Sequence, residues 1–258
     1  MEPDTVELDE QVRAFDEGRA AADLDARLVR VSGGDARRWL DDLVTAGVAP
    51  LSDGVQTRSL LLTPTGRIRA DLHIVAEGAA FLLVQPGDQP RSISDLLEPY
   101  ILSSDVRLED ASGLDVHVVA GDPDIRVVVG HVDHEVSAAA FERWRIQRGI
   151  ARFPVDLDTE STPAEGGLER LIDVTKGCFL GQEAVAKIRN LGHPARVTIA
   201  RSTGPATPVG DEVTSGGRVV GTITSVAAWG GGCAVIARVA WRDRDAELAC
   251  STGPLRRI

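Results

Sequence analysis

Apolar and polar positions fall into blocks of two periods along the chain. The run ARLVRVSGGDARRWLDDLV reads as a short strand, a Gly-Gly turn and an amphipathic helix. Ala36, Trp39, Leu40 and Leu43 stand at helical spacing there, and Asp35 is placed to cap the helix. The next block, TRSLLLTPTGRIRADLHIVAEGAAFLLVQP, predicts an antiparallel meander of three strands, with turns at Pro64 to Gly66 and at Glu77-Gly78. Residues 89 to 102 read as a helix. VRLED, LDVHVVAG and IRVVVGH read as strands, and EVSAAAFERWRIQRGI as a helix ended by Gly149.

Two stretches depart from this regularity. Residues 151 to 172 are broken by Pro154, Pro163 and Gly166-Gly167 into a long irregular segment, and long ordered segments of that kind usually serve a function. From residue 196 onward the chain is β-rich and punctuated by glycine, which predicts a small barrel of about 60 residues. Residues 1 to 24 are charged and read as a mobile lead-in.

Composition narrows the function. Among 258 residues, 28 basic side chains face 39 acidic ones, a formal charge of −11 that repels a phosphate backbone and argues against general nucleic-acid binding. No apolar run approaches the ~20 residues that span a bilayer, and the opening is acidic rather than leader-like. A cytoplasmic protein with no membrane partner is the expectation. Cys178, Cys233 and Cys250 are scattered, without a CxxC pair, so neither a disulfide framework nor a zinc ribbon is predicted. His131 and His134 read as a surface pair rather than metal ligands. The glycine runs, including 230 to 232, make no dinucleotide fingerprint.

The chemistry concentrates in DVTKGCFLGQEAVAKI, residues 173 to 188. If a helix begins at Gln182, Cys178 sits just before its positive end, and Lys176 adds a cation two residues away. Both favour a thiolate. The same cysteine could equally be a small buried filler in a turn.

KGCFLGQE resembles the signature of the YgfZ family, folate-binding proteins of iron–sulfur cluster assembly or repair that are related to the glycine-cleavage T-protein, an aminomethyltransferase. VSGGDARRWLDDLVT, LLTPTGRIRADLHIV, RIQRGIARFPVDLDTESTPAEGGLERLI and VGTITS are similar to the family in the same order, from about residue 26 onward. The resemblance implies an α+β, T-protein-like fold: two mixed αβ units around a central cavity plus a C-terminal small β-barrel. The implied division is 25–50 with 112–195 as a discontinuous first αβ domain, 51–111 as the second, and 196–258 as the barrel.

The resemblance also implies a ligand, tetrahydrofolate or a derivative. Glu165, in TPAEGG, stands where a T-protein carboxylate grips the pterin, and a carboxylate can accept two parallel bonds from an amino-pyrimidine edge. Arg196 stands where a basic residue faces the folate tail. Asp71 is the remaining member of an acidic pair whose first position here is Ala70, which weakens one-carbon transfer. T-proteins carry aspartate where this chain has Cys178. The leading expectation is therefore a folate-binding accessory protein with iron–sulfur enzymes or assembly proteins as partners, Cys178 and Lys176 acting with Asp71. A folate-dependent one-carbon or aminomethyl transferase and a folate-free protein-interaction scaffold are the alternatives.

Overall fold

The computed structural model describes residues 5–121, 124–204, 206–229 and 232–258. Gly230 and Gly231 of the glycine run, and the first four residues of the expected lead-in, lie outside them. In chain order the elements begin with α1 (Thr5–Asp16), β1 (Ala21–Asp23), β2 (Ala26–Ser32), α2 (Ala36–Leu43), β3 (Gln56–Leu62), β4 (Ile68–Glu77) and β5 (Ala80–Pro86). Next come α3 (Ile93–Leu97), β6 (Arg107–Asp110), β7 (Val116–Ala120), β8 (Ile125–Val129), β9 (Glu135–Val136) and α4 (Ala138–Gln147). After 3-10 turns at Pro163–Gly166 and Glu169–Leu171 follow α5 (Gln182–Leu191), β10 (Arg196–Thr203), β11 (Glu212–Ser215), β12 (Arg218–Trp229), β13 (Gly232–Ala240), β14 (Leu248–Cys250) and β15 (Gly253–Leu255).

The strands make three sheets, in the orders β8-β7-β1-β9, β3-β4-β5-β2-β6 and β10-β13-β12-β11-β14-β15. Alternation sets the faces of the middle sheet. Ala70, Leu72, Ile74 and Ala76 of β4 pack with the α2 stripe of Ala36, Trp39, Leu40 and Leu43, while Asp71 and His73 point to the other face. Each large apolar side chain buried in this layer contributes roughly 1.5–3 kcal/mol. In the third sheet, reciprocal backbone bonds between Ser202 and Arg256, both 2.8 Å, join the first and last strands. Arg145 fastens this sheet to the rest: its buried guanidinium donates to the Ile150 carbonyl, to Asp156 of the irregular segment and to Ser225 of β12.

Several expectations are revised. The supposed lead-in is helical over α1, and its Phe15 is fully buried against Phe141 and Trp144 of α4, because three aromatic rings 5–6 Å apart bury more surface together than a solvated tail could. In the sheets, β2 bonds to β5 and β6, whereas β1 joins β7 and β9. Asp35 does not cap α2 through its side chain; its carboxylate accepts the Asp105 N–H instead, tying the turn to β6. The helix expected over 89 to 102 is one α-turn from Ile93 to Leu97 and a 3-10 turn, since Pro99 interrupts the pattern. Among the described residues no helix is long and apolar enough to cross a membrane.

Candidate functional site

The KGC loop sits on the first hairpin. Gly181, at φ +88°, precedes α5, and a Cβ there would lie 2.6 Å from the Thr63 carbonyl oxygen. Gly66 of the hairpin turn is equally tight: a Cβ would approach that of Ala184 to 2.9 Å. Only glycine permits both contacts. Phe179 plugs the loop into a core of Leu60, Leu62, Ile68 and Phe153, which leaves Cys178 exposed ahead of the helix.

Lys176 does something other than the sequence suggests. Its buried ammonium donates to the carbonyls of Asp41, Val44 (2.9 Å) and Ala46 (2.8 Å), closing the C-terminal end of α2. Three donors meet three acceptors, and a cation at a helix C-terminus is favourable. Burial pushes its pKa below the ordinary lysine value, with Asp41 opposing. Lys176 is thus a clasp between the KGC loop and α2. Cys233 is buried in the barrel, whereas Cys250 is half-buried and, against the effect of burial, hydrogen bonding from Thr252 and Thr207 holds its thiol below the usual value.

Asp71 is buried and clamped. Arg58 holds both its oxygens, Nε at 2.9 Å and the terminal nitrogen at 2.5 Å, and reaches Asp124 at 2.7 Å. Against the cost of burial, Arg58 and Arg170 keep the Asp124 carboxyl below the usual range. His73 lies beside the pair; burial, reinforced by Arg58, pushes its pKa down to about 4, so the imidazole is neutral at pH 7. Arg58, Asp71 and His73 line a cavity of about 240 Å³ that Arg152 and Phe153 also bound.

Glu165 is also occupied. One oxygen accepts the Thr162 N–H (3.1 Å) and the other accepts from Arg238 of β13 (2.7 Å), which also pairs with Asp158. Its carbonyl accepts from Thr198. The carboxylate therefore ties the irregular segment to the barrel. Arg196 begins β10, is exposed, and shares with Thr198 the strand face that meets this turn.

A larger cavity, about 490 Å³, opens between these two segments. Pro163, Ile172, Val185, Ile188 and Trp241 form its walls, and the Trp241 ring is stacked with His193 at 5.3 Å and braced by Arg244. Glu169 and Arg189 also line it, both exposed and without a side-chain partner among the described residues. Its wall residues 162 to 164 lead directly into Glu165, and 192 to 194 lead to Arg196. Asp71 lines the other cavity, and Cys178 lines neither. His131 and His134 are exposed beyond β8.

Sequence reasoning missed Arg58, His73, Glu169, Arg189, Arg238 and Trp241. A signal existed for one pair: on the central face of the meander, Arg58 and Asp71 are charges at inward positions of adjacent strands, which are buried only when paired.

The architecture is that of an aminomethyltransferase-T-like α+β protein. It matches the glycine cleavage system aminomethyltransferase T of Bartonella henselae at a TM-score of 0.79 with 16% identity, over 97% of this chain and 87% of that one. By sequence, the chain is 26% identical to a chloroplastic protein of Arabidopsis thaliana whose name reads "Putative transferase", over 84% of this chain and 64% of that protein. It is also 26% identical to an uncharacterized Haemophilus influenzae protein, over 77% of this chain and 81% of that one. The chain thus spans about 64% of the length of the first of these relatives. No family model matches.

Proposed function

We propose that the protein binds a reduced folate, tetrahydrofolate or a derivative, in the 490 Å³ cavity between the Glu165 turn and the approach to Arg196, and acts as a YgfZ-type accessory to iron–sulfur proteins. The cavity carries the reading. Its volume is that of a small-molecule site, its apolar walls suit a flat heterocycle, and the free groups match the two ends of a folate. The Glu169 carboxylate accepts from an amino-pyrimidine edge, and Arg189 with Arg196 meets the glutamate carboxylates. Glu165, spent on Arg238, positions the turn instead of gripping the ligand. Cys178 supplies an accessible thiol in the loop that carries Lys176. Partner proteins of iron–sulfur assembly come from the sequence resemblance alone.

Folate-dependent transfer is the second reading, favoured by the word transferase in the name of the Arabidopsis relative. Against it, Asp71 has both oxygens held by Arg58 and cannot serve a reacting nitrogen without breaking that pair. Titration with 5-formyl-tetrahydrofolate tests binding, and turnover of methylene-tetrahydrofolate with amine donors separates the readings: sustained turnover makes the protein a transferase. Assay of iron–sulfur enzymes in a deletion strain complemented by Cys178→Ala tests the accessory role, which predicts failure of the variant to restore them.

A further inference from the structure

The barrel closes where β10 meets the chain after β15, and that closure sets two arginines against each other. Ser202 and Arg256 exchange backbone hydrogen bonds, so antiparallel register places Arg201 directly opposite Arg257. Like charges across a strand pair are destabilising. Arg244 joins them, because its carbonyl accepts from the Arg201 guanidinium at 2.7 Å. One acid, Asp245, serves both Arg244 (3.3 Å) and Arg257 (2.9 Å). Among the described side chains, Arg201, Arg244 and Arg257 have one carboxylate beside them, that of Asp245, in a concavity of about 300 Å³ that Ile258 also lines.

Arg201 has no acidic partner among the described residues. Of the five N–H bonds of a guanidinium, it spends one on the Ala200 carbonyl and one on that of Arg244, leaving three. Burial and the charge of Arg257 lower its pKa, with Asp245 opposing. Arg148 at the end of α4 lines the same concavity, though Asp16 balances it.

We propose that this arginine pocket at the barrel closure binds a multivalent oxyanion, with Arg201, Arg244 and Arg257 donating charge-assisted hydrogen bonds to its oxygens. The anion relieves the cross-strand repulsion, so binding also stabilises the fold. Two sources carry this chemistry, a phosphate-type group and a run of carboxylates. The site adjoins the folate cavity through Arg244, which also stacks on Trp241, but its other residues lie outside that cavity and it stands whether or not the cavity holds a folate.

Calorimetric titration of the full chain at low salt, with inorganic pyrophosphate and separately with a tri-glutamate peptide, tests the proposal. Saturable binding that weakens with salt and raises the thermal midpoint is the expected result. Response to pyrophosphate alone assigns the phosphate-type source; response to tri-glutamate alone assigns the carboxylate source. R257Q, at an exposed position, weakens binding about tenfold, roughly one charge-assisted hydrogen bond, and R201Q/R257Q removes it. Arg218→Gln elsewhere in the barrel leaves it unchanged. Saturation by neither anion at millimolar concentration, or equal binding by the folded R257Q and wild-type chains, overturns the site.

Discussion

The two cavities contrast in how their charges are spent. Around Asp71 the buried charges are bonded to other protein groups, Arg58 to Asp71 and Asp124 and Asp124 to Arg170, while Asp23 and Asp25 stand exposed at the rim. Beside Trp241, the walls are apolar and Glu169 and Arg189 face solvent without partners among the described residues. A charge paired inside the protein has already offset its desolvation and holds the fold; one left at a rim keeps its hydrogen-bonding capacity for a ligand. On the proposed reading, the buried pairs around Asp71 hold the fold and the exposed groups beside Trp241 meet the ligand.

The sharpest way to break this contrast is to remove the buried counter-charge. Arg58→Met strands Asp71 and takes one of two cations from Asp124, and is expected to destabilise by ~3–5 kcal/mol in urea unfolding. A loss within experimental error would return Asp71 to the list of available groups. A pH series probes the same floor. The unfolded chain takes up the His73 proton below about 6.5 and the folded chain only near 4, so this contribution is full above 6.5 and is lost as pH falls toward 4. The slope reaches at most about 1.4 kcal/mol per pH unit, and His73→Leu flattens it across that window. An unchanged slope would mean that other groups govern acid unfolding.

Next in size, Lys176→Met leaves three carbonyls at the end of α2 without their donor and costs about 1–3 kcal/mol. Because the ammonium is turned to those carbonyls, the alkylation rate of Cys178 in the folded variant stays near that of the wild type. A large selective fall would restore Lys176 as the activator of the thiol. In the wild-type protein Cys178 and Cys250 both label before Cys233, which is buried in the barrel.

How much of this was legible in the sequence follows from the range of the interactions. The α2 stripe, the two hairpin turns and the start of α5 rest on spacing and on glycine, which are local. The partners of Lys176 lie 130 to 135 residues away, so its burial depends on how α2 and the KGC loop meet, and no spacing records that. Glu165 stood out through its motif, but the arginine that occupies it comes from β13, 73 residues later. The N-terminal helix was missed because its charged surface reads as solvated until Phe15 is seen to have α4 as a partner.

Titration of 5-formyl-tetrahydrofolate into the wild-type chain and Ile188→Arg tests the central assignment most directly. Ile188 is half-buried in the cavity wall, so the substitution fills the cavity while changing stability by roughly 1 kcal/mol or less. The account predicts saturable binding to the wild type and none to the folded variant. Equal binding by both, or a loss of binding caused instead by His73→Leu, would place the ligand in the other cavity and contradict it.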